Sequence, residues 1–159
     1  PLLRLNIFGR QGTALRDEWA AGPKTYLGLG MEKFPNLFTV TGPGSPSVLT
    51  NMPVAIEQHV EWIAGCIAWL RAHGIARIEP THEAATQWGA HVQDVANATL
   101  YPTAATSWYL GANVPGKPRV FMPYLGGLGR YREICDEVAA EGYRGFALTP
   151  APAMAAARR

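Results

Sequence analysis

A run of apolar and β-branched residues, Leu37-Phe38-Thr39-Val40-Thr41, opens onto Gly42-Pro43-Gly44-Ser45-Pro46-Ser47, and a long helical pattern follows. This unit constrains the chain more than any other. The run is bounded by Asn36 and Gly42 and predicts a buried strand over 37–41. In the loop, prolines fix φ while glycines permit close backbone approach, so the path is stiff and tightly curved. Thr50 or Asn51 then supplies a helix cap, and Pro53 suits a first turn, where an amide has no intrahelical partner anyway. Ile56, Val60, Ile63, Ile67 and Leu70 recur at intervals of 4, 3, 4 and 3. That spacing predicts one apolar stripe on a helix over 53–73, stopped by His73-Gly74.

The rest of the chain mixes helical and extended signals, an α/β pattern. Alternation predicts a short strand over 4–8. One or two helical turns are expected over 15–19, broken by Gly22-Pro23. A second helix is expected over 81–100, with Trp88, Val92, Val95 and Thr99 as its stripe. Residues 100–119 are aperiodic and rich in Pro, Gly, Thr and Ala, and an ordered loop of that length points to a ligand. A short strand is expected over 120–122. Tyr131, Ile134 and Val138 mark a third helix ending at Gly142, and 145–149 reads as a last strand. Residues 1–149 form one folded unit in this scheme, and 150–159 are a disordered tail.

Of the 159 residues, 48% are hydrophobic and only 16% charged, so a core is available and the surface is poor in charge. Apolar patches left over on such a surface belong to an interface. The net charge of +2, without a basic run, disfavours nucleic acid as a partner. No apolar run has the length of a membrane span. Cys66 and Cys135 lack metal-type spacing and are expected as two buried, reduced thiols in the cytoplasm, with a structural disulfide as the alternative.

Few motifs carry chemistry alone. The loop reads G-x-G-x-x-S, so it fails as a dinucleotide fingerprint. A helix N-terminus behind it still suits phosphate or an electron-rich ring, and a tight structural turn is the plainer alternative. The histidines lack the i, i+4 pairing of a zinc helix, so no metal site is expected. No Gly-x-Ser-x-Gly elbow is present. Pro118 after Gly116-Lys117 excludes a P-loop. Trp108-Tyr109 is either a platform for a flat ligand or a core anchor.

Taken in order, several segments resemble one family. They are Phe34-Pro35-Asn36-Leu37-Phe38, Thr41-Gly42-Pro43-Gly44-Ser45-Pro46-Ser47, Asn51-Met52 and Glu57-Gln58-His59-Val60-Glu61-Trp62, and then Ser107-Trp108-Tyr109-Leu110-Gly111-Ala112-Asn113, Pro115-Gly116-Lys117-Pro118-Arg119 and Tyr143-Arg144-Gly145-Phe146. The set resembles the C-terminal part of the Baeyer–Villiger monooxygenases, in particular the phenylacetone and cyclohexanone monooxygenase group. The resemblance implies FAD, NADPH and O2, and insertion of one oxygen atom into a ketone to give an ester or lactone.

It also implies a C-terminal segment that completes the FAD-binding Rossmann-like domain of a flavoprotein with two dinucleotide domains. The remaining FAD and NADPH domains would be its partners. Both fingerprints lie outside these residues, so no catalytic residue is assigned, and the isolated chain is expected to be inactive. The resemblance places Gly42, Gly44, Asn51 and Met52 near the flavin and Trp108 near NADP. It places Ser47, Val48 and Leu49 along the substrate pocket. An N- or S-oxidising flavin monooxygenase and a non-enzymatic stand-alone binding module are the rival expectations.

Overall fold

The computed structural model describes residues 2–47, 50–99 and 121–152. They form four α-helices and four β-strands. Strand β1 (Gly30–Met31) pairs antiparallel with β2 (Phe34–Phe38), and β3 (Ile75–Pro80) pairs antiparallel with β4 (Phe146–Pro150). Asn36 joins the two sheets with its side chain. Its Nδ2 donates to the Ala76 carbonyl and its Oδ1 accepts from the Ile78 amide, both at 3.0 Å. One amide side chain thus does what a further strand pairing would do.

The helices are α1 (Leu15–Glu18), α2 (Met52–Ala72), α3 (His82–Asn97) and α4 (Leu128–Ala140). Asn51 caps α2 by accepting from the Val54 amide, with Pro53 in the first turn, and Thr81 caps α3. Helices α2 and α4 meet where the Trp62 indole N–H donates to the Cys135 carbonyl at 2.8 Å. The larger core cluster contains Leu27, Leu29, Trp62, Trp88, Tyr131 and Phe146, and a smaller one contains Leu15, Trp19, Met31 and Phe34.

Several expectations change. The strand over 4–8 does not form: Leu2–Arg4 is a 3-10 turn, and Phe8 makes only an isolated bridge to Ala14. The chain reverses over 10–12, so the alternation finds no partner strand and Leu5 and Phe8 stay exposed. The strand expected over 37–41 lies at Phe34–Phe38, and it is largely half-buried. The chain leaves the sheet at Thr39, whose hydroxyl donates to the Gly28 carbonyl, and Thr41 is left-handed at φ 53°.

The third change concerns α2. Its buried face contains Ala55, His59, Trp62, Cys66 and Leu70, so of the expected stripe Leu70 is buried and Ile63 packs at the margin of the core. Ile56, Val60 and Ile67 point outward, with Val60 51% exposed. The helix is apolar on two sides, so periodicity selected the wrong one. Such a helix belongs between two layers.

Strands β1 and β3 were not expected, because Pro80 argues against a strand and Gly30-Met31 is too short to show alternation. Strand β4 runs through Pro150, and the Ala151 amide donates to the Gly74 carbonyl at 2.7 Å. Of the segment expected over 120–122, Phe121 and Met122 are not in a strand, and 120 lies outside the described residues. The aperiodic segment and the end of the tail also lie outside them. Among the described residues, no helix is long and apolar enough to cross a membrane, and no cluster of His, Cys, Asp and Glu forms that would hold a metal ion.

Burial of His59 makes stability pH-dependent. Desolvation lowers its pKa from 6.5 to about 4. Below pH 6.5 the unfolded chain takes up a proton that the folded chain refuses. The contribution is therefore complete above about 6.5 and is lost as pH falls to about 4, amounting to roughly 3 kcal/mol. Glu79, also held low, adds a loss of the same sign at lower pH. Chemical denaturation of the wild type and His59→Gln from neutral pH down to about 4 should show a steeper loss in the wild type. Parallel curves would refute the assignment.

Candidate functional site

The loop over 42–47 is held by its own backbone groups against three parts of the fold. The Thr25 hydroxyl donates to the Pro43 carbonyl at 2.5 Å, and the Trp88 indole N–H donates to the Gly44 carbonyl at 3.1 Å. The Gly44 amide donates to the Met122 carbonyl at 2.6 Å, and the Ser45 carbonyl accepts from the Tyr124 amide at 2.8 Å. The Ser45 hydroxyl, fully buried, closes the turn by donating to the Gly42 carbonyl at 2.7 Å. Each bond satisfies a buried polar group that would otherwise be costly.

Beneath the loop lies an aromatic layer. Trp88 stacks on Tyr124 with centroids 5.4 Å apart, and Tyr131 lies 6.0 Å from Tyr124. The Tyr131 hydroxyl donates to the Leu27 carbonyl at 2.6 Å. On the α2 side, Nδ1 of His59 accepts from the Thr41 amide at 2.9 Å.

Gly42 and Gly44 are buried, and their open sides face the protein itself. A Cβ on Gly42 would come 2.4 Å from the Gly28 carbonyl oxygen, and one on Gly44, at φ +87°, would come 2.9 Å from the Trp88 indole nitrogen. Their immediate work is close packing of the loop. Ser47 is half-buried with φ 48°, and its carbonyl accepts from the Thr50 amide. A non-glycine residue in this conformation costs roughly 1–2 kcal/mol, and both Thr41 and Ser47 adopt it. Asn51 is exposed at the cap and Met52 half-buried at the first helical position. Gly42, Gly44 and Ser47 thus lie in the loop and Asn51 and Met52 at the helix start that follows it, the two halves of the candidate edge. Val48, Leu49 and Trp108 lie outside the described residues.

At the start of the loop, beside Gly42 and Pro43, lies a groove of 520 Å³, walled by Leu2, Trp19, Phe38, Val40, Pro43 and Met122 among others. Its apolar walls and open side suit one edge of a flat ring. Nothing in it resembles a reactive group. The thiols lie elsewhere, and burial pushes Cys66 up to about 11 and Cys135 to about 12, so both stay protonated and unreactive. Both are free and buried.

Thr25, His59 and Tyr124 belong to the site without having been expected there. A signal for His59 exists in hindsight: it continues the series Ala55, Trp62, Cys66 and Leu70, the alternative apolar face of α2.

No family model matches the chain. An acetone monooxygenase (methyl acetate-forming) of Gordonia sp. (strain TY-5) is 45% identical over 149 residues, covering 93% of this chain and 28% of the relative. A Baeyer–Villiger monooxygenase of Pseudooceanicola batsensis is 42% identical over 141 residues, covering 89% and 25%. The structure of an oxidized steroid monooxygenase bound to NADP superposes with a TM-score of 0.86 at 54% identity, covering 94% of this chain and 27% of that one. The chain thus spans about a quarter of the length of the relatives it matches. The likeness extends over nearly all of these residues in both sequence and fold, and it identifies the chain as homologous to the C-terminal part of the Baeyer–Villiger monooxygenases.

Proposed function

We propose that this chain is the C-terminal segment of an FAD- and NADPH-dependent Baeyer–Villiger monooxygenase that inserts one oxygen atom from O2 into a ketone, giving an ester or lactone. In this proposal the segment completes the FAD-binding Rossmann-like domain. The single observation that carries the proposal is the loop over 42–45, pinned through its backbone and bordering an apolar groove at Gly42 and Pro43, in a chain with this likeness.

FAD, when bound, supplies the redox chemistry, and the chain's residues bind and orient. Gly42 and Gly44 shape the loop so that its outer face meets the flavin. The backbone at Asn51 and Met52 approaches the isoalloxazine, where the free amides and positive end of α2 suit an electron-rich ring. Ser47, Val48 and Leu49 line the ketone pocket, and Trp108 reaches NADP. None of these is a catalytic residue.

The outward face of α2 supports a place inside a larger protein. Ile56, Val60 and Ile67 form an apolar stripe that is exposed among the described residues. The remaining FAD and NADPH domains of the same enzyme are the cover we propose. Two free, buried thiols support a reducing, cytoplasmic setting.

Residues 1–159 alone should bind FAD weakly, oxidise no NADPH and associate with themselves through the exposed stripe. Flavin fluorescence, NADPH absorbance and ester formation from a simple ketone test this, beside the complete enzyme carrying these residues. Ester formation by the short chain would overturn the proposal. In the complete enzyme, Val48→Gly should shift the relative kcat/KM for bulky and small ketones by about tenfold or more. Identical ratios across a ketone panel would remove Val48 from the pocket. Trp108→Ala should raise the KM for NADPH or alter ketone selectivity while leaving Tm nearly unchanged. A large fall in Tm with normal coenzyme kinetics would instead make Trp108 a core anchor.

A further inference from the structure

We propose that His59 is a positioning residue, whose Nδ1 acceptor fixes the loop over 41–47 to α2 and thereby aligns the loop with the start of that helix. The role in catalysis rests on the proposal that this edge borders the flavin. The attachment itself does not.

The geometry is asymmetric. The loop bonds at Pro43, Gly44 and Ser45 go to Thr25, Trp88, Met122 and Tyr124, which belong to other parts of the fold. The bond from the Thr41 amide to His59 ties the loop to α2, at 2.9 Å. Asn51 and Met52 sit at the start of that same helix, so this bond holds the first half of the edge to the helix that carries the second. It also lies where the backbone is least willing to stay. Thr41 is β-branched and left-handed, at φ 53°, a combination that needs an external restraint.

Packing alone does not call for a histidine here. The side chain is fully buried, and its other nitrogen, Nε2, has no hydrogen-bond partner among the described residues. Because Nδ1 accepts, the neutral ring carries its proton on Nε2. That N–H faces an interior in which Tyr131 of α4 stands edge-on, 5.5 Å between centroids, with its own hydroxyl engaged at Leu27. An apolar side chain of similar size would fill the space without stranding a donor. The histidine is retained for the acceptor on its near side, not for its bulk.

Asn and Gln separate these roles. In His59→Asn the side-chain oxygen falls near the position of Nδ1, whereas His59→Gln carries its polar atoms near Nε2. In the complete enzyme, hydrogen exchange resolved to the Thr41 amide should accelerate about tenfold or more in His59→Gln and stay close to the wild-type rate in His59→Asn. Equal acceleration in both variants, or none in Gln, would overturn the proposal. In the unmodified enzyme, 15N NMR of labelled histidine should show the His59 proton on Nε2. A proton on Nδ1 would overturn it without any variant. Visible circular dichroism of the bound flavin should change in Gln and recover in Asn. Exchange that follows the expected pattern while the flavin signal stays constant would establish the attachment and refute the flavin-facing edge.

Discussion

The buried hydrogen bond from the Trp88 indole to the Gly44 carbonyl organises much of this molecule. It fixes the loop to the middle of α3, above an aromatic layer to which α4 contributes Tyr131. The tryptophan is large enough to support the turn and still has a donor to spend on it. Gly44 has no side chain because the indole occupies that space. The remaining loop bonds then follow from a path already determined.

The loop's rigidity depends on which backbone groups face which way. Pro43 and Pro46 offer no amide, so their part of the loop presents carbonyls. The surroundings supply the donors: a hydroxyl, an indole and the Tyr124 amide. This is a complementary arrangement in which few polar groups remain for solvent to compete over. It also explains how Thr41 and Ser47 persist in a backbone region that most residues avoid, because the loop between them is already fixed.

The amount legible in the sequence varied along the chain. Helix α2 was visible because cap, apolar spacing and a Gly stop signal agreed, α3 by its apolar spacing, and α4 by spacing and the stop at Gly142. The sheets were not, because their strands are short and the link between them is the Asn36 side chain, which no alternation can reveal. The orientation of α2 was misread for a physical reason. Both of its sides are apolar, and Ile56, Val60 and Ile67 face outward while a histidine and a cysteine face in. The candidate edge itself was legible as a stiff loop before a capped helix. The contacts that secure it, from Thr25, Trp88 and His59, come from distant positions and have no local signature.

Charge and burial divide the labour between the two ends of this site. The groove wall at Leu2 belongs to the N-terminal arm, whose attachment includes Arg10. Its guanidinium donates two bonds to the Glu79 carboxylate at 2.7 and 2.8 Å, and the Lys33 amide donates a third at 2.7 Å. Burial alone would raise the Glu79 pKa, but the Arg10 bond and the Lys33 amide hold it below the usual range. Arg10 itself is 48% exposed, so salt reaches one half of this clasp. The loop wall, by contrast, is set by neutral buried bonds that salt barely touches. The ionic medium therefore acts on the clasp at Arg10 and Glu79 far more than on the bonds that shape the loop.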